Sequence, residues 1–291
     1  NAAFIQRMKE ADGHFLYTRM NEIEQLLKLG SGVSKDAWST IIRLAFDQDG
    51  EYGAERVGDQ SVCETVDVRF NFNASTTPGT AKSFFRNHLV NGTLQRLNVC
   101  TIPPQPIGSE MPKYGNHDVR EELKPYIDRL NNASGKFSVK SVLDFTKELY
   151  DGTRVDCIDR QDNVYQNFTY RGLKIAHTKA SVLYIAEGCG RFTQEMKEFI
   201  RWSLDYDLWC KMHFFGEDVR SASSHDNYEV KRKGPKSLHE CLPTEFTVDE
   251  LKKLVSEKNA ETSAPKLIKA WKYRKLIVPV NDKKDTYRKV G

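Results

Sequence analysis

The C-terminal segment 237–291 contains the sequence pattern that restricts the fold most. Thr247, followed three residues later by Glu250, is the capping-box signature of a helix start. Pro265 stands early in the first turn of another predicted helix, where the missing N–H does little harm. Two short β-prone runs then enclose a polar turn, as in a hairpin. The predicted elements are three helices and a β-hairpin, at 237–241, 247–255, 263–276 and 276–290.

The same end of the chain is strongly basic. Residues 231–291 contain 13 Lys and 3 Arg against 8 Asp and Glu, a formal charge of +8 in a chain whose total is +4. Residues 1–230 therefore carry −4. Along the third predicted helix, apolar residues recur at the spacing of a buried face, and lysines recur every third residue. A composition shift of this kind indicates a separate domain with a polyanionic partner.

Three helices followed by a hairpin is the element order of a winged helix-turn-helix, whose third helix usually enters the major groove of DNA. Lysine dominates over Arg, Asn and Gln, which favours phosphate contacts over base readout. The alternative is a module that docks on another protein and has a solvated lysine face. The residues expected to contact DNA are Lys266, Lys269, Lys272, Arg274, Lys275, Lys283, Lys284 and Arg288.

The N-terminal part of the chain alternates short apolar runs with helical patterns. Strand and helix alternation of this kind favours an α/β layer with a parallel sheet. The predicted strands cover 14–20, 66–72 and 94–100, and the predicted helices cover 36–46 and 80–90. A mainly helical region follows, with candidates at 117–131, 139–151, 173–187 and 193–214.

Polar residues follow the first two predicted strands. Asn21 and Glu22 come directly after the first, and Asn73 comes after the second. Nucleotide hydrolysis uses a carboxylate at the tip of a buried strand to polarise the attacking water. Arg96 lies at the edge of the next strand, where an arginine can stabilise transition-state charge. Each residue taken alone also fits an acidic turn, a turn residue or a surface ion pair.

This order of residues resembles the P-loop helicase-like ATPases of bacterial mobile elements and prophages, a family found with primase modules. The motifs that carry the resemblance lie at 20–24, 44–47, 55–57, 72–78 and 92–96, with a looser likeness at 170–174. The resemblance implies part of a RecA/AAA+-like P-loop core and a ring with Mg·ATP between its protomers. It implies the following roles: Glu22 as hydrolytic acid/base, Asn73 as γ-phosphate sensor, Arg96 as trans-acting finger, Asn21 near Mg²⁺ and Arg171 as a second sensor.

Two departures from the family pattern concern the phosphates and the metal. The chain has no G-x-x-x-x-G-K-[ST] loop, and its only Gly-Lys pair, at 135–136, lacks the upstream glycine. Asn21 stands where an Asp is commoner. The start Asn1-Ala2-Ala3 resembles the scar of a cleaved expression tag. We therefore expect a C-terminal fragment that binds no cofactor, from a parent protein that binds ATP and Mg²⁺.

The expected organisation has five parts. These are a tag remnant with a leading helix at 1–11, a partial P-loop core at 12–112, a helical region at 113–220, a linker at 221–236 and the winged helix at 237–291. No apolar run is long enough to span a membrane and no signal peptide is recognisable, so we expect a cytoplasmic protein without a membrane partner. The alternatives to an ATPase fragment are a non-enzymatic replication or mobilisation accessory protein and a winged-helix transcriptional regulator.

Three further groups of residues have competing interpretations. The six cysteines and seven histidines show no metal-ligand spacing with four members, so no metal site is expected. Asp156 and Asp159 fit a solvated acidic loop better than a metal-binding pair. The aromatic residues at 202, 206, 209, 214 and 215 could stack on single-stranded bases, but their helical spacing favours a core.

Overall fold

The computed structural model describes residues 2–11, 13–29, 36–47, 50–54, 64–102, 106–110, 118–226, 237–255, 260–280 and 285–290. The motif at 55–57, the predicted DNA-contacting residues Lys283 and Lys284, and residues 227–236 of the expected linker lie outside these ranges. The chain divides into two compact units, one made of 1–99 with 210–228 and the other of 100–209 with 229–291. Helices and strands are mixed, in agreement with the predicted α/β class.

The first unit combines short helices with two small sheets. Its elements are α1 (Ala2–Glu10), β1 (Leu16–Met20), a 3₁₀ helix (Ile23–Leu29), α2 (Ala37–Phe46), β2 (Glu51–Ala54), β3 (Glu64–Asp67), β4 (Phe70–Ala74), α3 (Pro78–Phe85) and 3₁₀ turns at Arg86–His88 and Leu94–Arg96. Strands β1 and β4 pair in parallel, with Leu16 opposite Phe70 and Met20 opposite Ala74. Helix α1 covers one face of this pair, where Phe4 meets Phe70 edge to face at 5.4 Å.

The single strand predicted over 66–72 is wrong. The chain instead forms β3, which pairs antiparallel with β2, and then β4, which pairs with β1. The break lies between them, where the Val68 N–H donates to the Gly50 carbonyl oxygen at 2.8 Å. Gly50 is required there, because an added Cβ would stand 2.1 Å from the Leu44 carbonyl oxygen. The alternating apolar residues of this stretch therefore belong to two different pairings.

The strand predicted over 94–100 is also wrong. Gly92 has φ +83, a left-handed conformation that turns the chain just before this stretch. The next residues form a 3₁₀ turn, with the Arg96 N–H donating to the Thr93 carbonyl at 3.0 Å. The helix predicted over 36–46 is confirmed, whereas the helix predicted over 80–90 ends at Phe85 and continues as a 3₁₀ turn.

Four long helices dominate the second unit: α4 (Arg120–Asn131), α5 (Lys140–Arg160), α6 (Asn163–Ala186) and α7 (Gln194–Asp226), whose C-terminal part belongs to the first unit. The four helices predicted in this region are confirmed, and three of them extend further than expected. The acidic run that contains Asp156 and Asp159 was predicted as a loop, but it is helical, since α5 continues to Arg160. The Asp162 side chain then caps α6 by accepting the N–H groups of Val164 and Tyr165. Residues 221–226, expected in the linker, belong to α7.

The rest of the second unit contains the short helix α8 (Leu238–Cys241), β5 (Glu245–Thr247), α9 (Val248–Leu254), α10 (Ala260–Tyr273), β6 (Ile277–Pro279) and β7 (Thr286–Lys289). The predicted capping box is confirmed, with the Thr247 and Glu250 side chains each bonded to the other's backbone N–H. Helix α10 begins earlier than predicted, so Pro265 lies inside it. The predicted hairpin is confirmed, and β5 adds to it as a third strand in the order β5-β7-β6.

Candidate nucleotide and nucleic-acid sites

The carboxyl ends of β1 and β4 meet at one edge of the parallel pair. Asn21 and Glu22 directly follow β1, as predicted. Asn73 does not follow its strand but lies inside β4, opposite Arg19 and one residue before β4 ends. Ser75 links the segment after β4 to the segment after β1. Its Oγ donates to the Asn21 carbonyl at 2.7 Å, and its carbonyl accepts from the Ile23 N–H at 3.1 Å. Asn21, Glu22 and Asn73 are all exposed. The three predicted residues are therefore available to a ligand at the same edge.

Arg96 is positioned differently from a strand-edge arginine. Its side chain is only 13% exposed and lies 3.5 Å from the Asp47 carboxylate. The guanidinium also donates to the Gly92 carbonyl at 3.1 Å and lies over the Phe46 ring at 5.7 Å. These contacts are all within the first unit, so Arg96 would have to leave them before it could reach a phosphate in another subunit. Arg171 lies on α6, in the second unit.

The lysines of α10 lie opposite its buried side. Trp271 and Leu267 are buried in the core formed with α8, α9 and the sheet, and Ser263 is buried on the side of α10 that faces α5. The exposed residues of this helix and its C-terminal end include four predicted DNA contacts: Lys266, Lys269, Lys272 and Lys275. The helix thus separates an apolar face from a lysine face, as its 3.6-residue period predicts. Lys272 lies over the Tyr287 ring of β7 at 4.7 Å, which links the lysine face to the hairpin.

Both predicted arginine contacts form ion pairs inside the second unit. The Arg274 guanidinium donates to the Asp156 carboxylate of α5. Arg288 of β7 pairs with Glu245 of β5 through Nη2 at 2.7 Å and Nε at 2.9 Å. Arg274 and Arg288 therefore each have a carboxylate partner, and their side chains remain 43% and 55% exposed.

A buried polar cluster joins α5, α8 and α10, and the sequence pattern did not indicate it. Asp159 Oδ1, His239 Nε2 and Trp271 Nε1 are all buried, and the Trp271 indole N–H faces the Asp159 carboxylate. Burial raises the pKa of Asp159; the facing Trp271 indole, Arg274 and His239 oppose the rise, and Asp156 adds to it. A carboxylate three residues from another on one helix face was visible in the sequence. The indole and imidazole that bury it come from residues far along the chain.

Asp159→Asn is expected to remove a pH dependence of stability. A carboxyl whose folded pKa is raised binds its proton more tightly in the folded state, so the free energy of unfolding falls as pH rises from about 4 through that raised pKa. We expect the variant to be at least as stable as wild type at neutral pH, with a flatter pH profile, in urea denaturation. Asp151→Asn, an exposed change on the same helix, is the control. An unchanged pH profile in Asp159→Asn would contradict this assignment.

A second polar contact lies between α6 and α7. The Lys179 Nζ donates to the Ser203 Oγ at 2.6 Å, and burial lowers the pKa of Lys179, opposed by the nearby Asp207. Ser203 is 9% exposed and lies within α7. This contact therefore holds two helices together.

Comparisons with protein-family models, with curated proteins and with solved structures gave no match. Across the described ranges, no helix is both long and apolar enough to cross a membrane. In that same part of the chain, no three His, Cys, Asp or Glu side chains come together as a metal-binding group.

Proposed function

We propose that residues 237–290 form a winged helix-turn-helix that binds double-stranded DNA through the lysine face of α10. The observation that supports this most is the sheet β5-β7-β6 packed on α8, α9 and α10, with the lysines on the side of α10 opposite Trp271. In this arrangement α10 is the helix offered to the major groove and the β6–β7 hairpin is the wing.

The chemistry of this face suits the DNA backbone. Lysine is a flexible point charge, and its contacts to phosphate position a protein on DNA without reading sequence. The two arginines that could have made bidentate contacts to guanine are held by Asp156 and Glu245. The proposed activity is therefore binding with little sequence preference, in the replication or mobilisation of mobile-element or phage DNA.

Charge reversal of Lys269 and Lys272 is expected to weaken duplex binding at least tenfold. Each lost phosphate contact also lowers the slope of log affinity against log salt by about 0.9, so the slope should fall by roughly 2. The measurement is fluorescence anisotropy of labelled duplexes of unrelated sequence, titrated at several salt concentrations.

The matched control for this experiment is Lys140→Glu/Lys147→Glu, which makes the same charge change at exposed positions of α5. Unchanged binding by Lys269→Glu/Lys272→Glu would assign the lysine face to protein docking instead. Tight binding to one palindrome alone, with little affinity for other duplexes, would favour a transcriptional regulator.

A second candidate function is ATP binding and hydrolysis, with the β1–β4 edge as part of the site. It is favoured by the parallel pairing that brings Glu22 and Asn73 to one edge of adjacent strands. In P-loop helicase-like ATPases this is the relation between the hydrolytic carboxylate and the γ-phosphate sensor. We infer that these residues act in the expected parent protein, the natural gene product, together with a phosphate-binding loop whose motif this sequence does not contain. A chain of this kind without ATPase activity would serve as a replication accessory protein.

A further inference from the structure

The open face of the β1–β4 pair carries aromatic and polar side chains in three cross-strand rows. Tyr17 lies opposite Asn71 and Arg19 lies opposite Asn73. The same register places Phe15 beside Arg69, whose carbonyl accepts the Leu16 N–H at 2.8 Å. Because side chains alternate between the faces of a strand, these residues share the face turned away from α1.

The two rings on this face are well exposed. Phe15 is 68% exposed and Tyr17 is 63% exposed, whereas Phe70 on the opposite face is buried against Phe4. Parallel strands that are covered by polypeptide on both faces are nearly continuous apolar runs. This face instead alternates rings with an amide and guanidinium groups. Its composition fits a ligand that has flat stacking surfaces and polar edges.

The guanidinium groups on this face favour an anionic ligand. Arg19 makes no ion pair with any residue in the described part of the chain, and it is exposed. Arg69 is half exposed; its guanidinium donates to the Gly13 carbonyl and lies 3.7 Å from Asp67. An aromatic and cationic surface of this kind provides stacking for bases and neutralisation for phosphates.

We propose that this face, made of Phe15, Tyr17, Arg19, Arg69 and Asn71, binds single-stranded nucleic acid. Bases stack on the two rings and the arginines contact phosphates. The Asn71 side-chain NH₂ donates to a base edge, while its Oδ1 accepts the Phe72 N–H at 2.8 Å. The face lies in the first unit and shares no residue with the lysine face of α10, so the inference goes beyond duplex binding and does not depend on it.

A row of aromatic residues on α7 is less suited to this ligand. Phe199, Trp202 and Tyr206 lie in succession along that helix, with ring centroids 5.5–6.0 Å apart, and Trp202 is 58% exposed. The sequence expectation that the aromatic residues at 202, 206, 209, 214 and 215 form a core is confirmed for Phe215, which is buried, and wrong for Trp202 and Trp209, which are exposed. The exposed acidic residues Glu195 and Glu198 flank this row and would repel phosphates.

The test measures binding of labelled oligothymidylate and oligouridylate to the full chain by anisotropy. It is done in the Lys269→Glu/Lys272→Glu background, so that the lysine face contributes little. Phe15→Ala/Tyr17→Ala is expected to weaken binding at least about tenfold, since each stacked base contributes roughly 1–3 kcal/mol. Tyr17→Phe keeps the ring and should restore binding relative to Tyr17→Ala. The two oligonucleotides show whether DNA or RNA is preferred.

Two further variants keep the proposal falsifiable if the double alanine variant folds poorly. Arg19→Gln should lower the salt slope by about 0.7, the value for one phosphate of a single strand. Trp202→Ala is the matched control and should bind as its parent does. The proposal is overturned if the parent binds neither oligonucleotide, if the ring and Arg19 variants bind unchanged, or if Trp202→Ala alone loses binding. Duplex binding by Phe15→Ala/Tyr17→Ala in the otherwise wild-type chain should be unchanged, which keeps the two proposals separable.

Discussion

Replacement of Glu22 by glutamine in the natural gene product is expected to slow ATP hydrolysis by about 10²- to 10⁴-fold and to leave ATP binding in place. The physical reason is that glutamine keeps the size of the side chain but cannot accept a proton from the attacking water. Glu22 is exposed at the carboxyl end of β1, beside the strand that carries Asn73, so the carboxylate is accessible to a nucleotide.

Steady-state ATPase assays and binding of a fluorescent ATP analogue separate these two effects. Glu51→Gln, at an exposed position of β2 in the same unit, is the control and should keep full activity. If the natural gene product has no ATPase activity, or if Glu22→Gln hydrolyses ATP at the wild-type rate, the nucleotide proposal fails. In the first case the accessory-protein alternative accounts for the β1–β4 edge.

Trp271→Ala is expected to destabilise the C-terminal part of the second unit by about 3–5 kcal/mol, the range for loss of a buried aromatic side chain. Trp271 is fully buried and contacts Phe246 and His239, with ring centroids 6.1 Å and 5.3 Å away. It therefore joins α10 to the first strand of the sheet and to α8. The variant should also lose duplex binding, because the lysine face depends on the packing of α10.

Urea denaturation followed by circular dichroism measures this loss. Tyr273→Ala changes a nearby aromatic residue of the same helix that is 89% exposed, and it should change the free energy of unfolding by less than about 0.5 kcal/mol. A loss of less than about 1 kcal/mol in Trp271→Ala would contradict the central place given to this residue in the core.

The C-terminal elements could be predicted because their signals are local. The capping box of Thr247 and Glu250 spans one helical turn, and the burial of Leu267, Ile268 and Trp271 follows from their spacing alone. Such signals do not depend on what the rest of the chain does. The start of α10 is the exception: the sequence predicted it at Ser263 with Pro265 in the first turn, whereas the helix begins at Ala260 and accommodates Pro265 in its interior.

Non-local pairing explains what the sequence did not reveal in the first unit. The break at Val68 depends on the hydrogen bond that the Val68 N–H donates to the Gly50 carbonyl, and no alternation of apolar residues indicates where one strand ends and another begins. The missing third strand depends on the left-handed turn at Gly92. Tyr17 was counted with an apolar strand, and only the position of α1 shows which face of that strand is open.

In the candidate sites, too, local features could be predicted from the sequence and non-local contacts could not. The sequence predicted a parallel sheet and strands near Glu22 and Asn73, but only the register shows that these two strands are neighbours. It also assigned Arg274 to DNA, whereas the structure pairs Arg274 with Asp156, 118 residues earlier in the chain. Charges that meet across such distances cannot be matched from composition or periodicity.

Lysine footprinting tests duplex binding by α10 most directly. The chain is acetylated with and without duplex DNA, and the modified lysines are quantified by mass spectrometry. We expect DNA to protect Lys266, Lys269, Lys272 and Lys275, while Lys140 and Lys147 of α5 react equally in both samples. Equal reactivity of the α10 lysines with and without bound DNA would contradict the proposal.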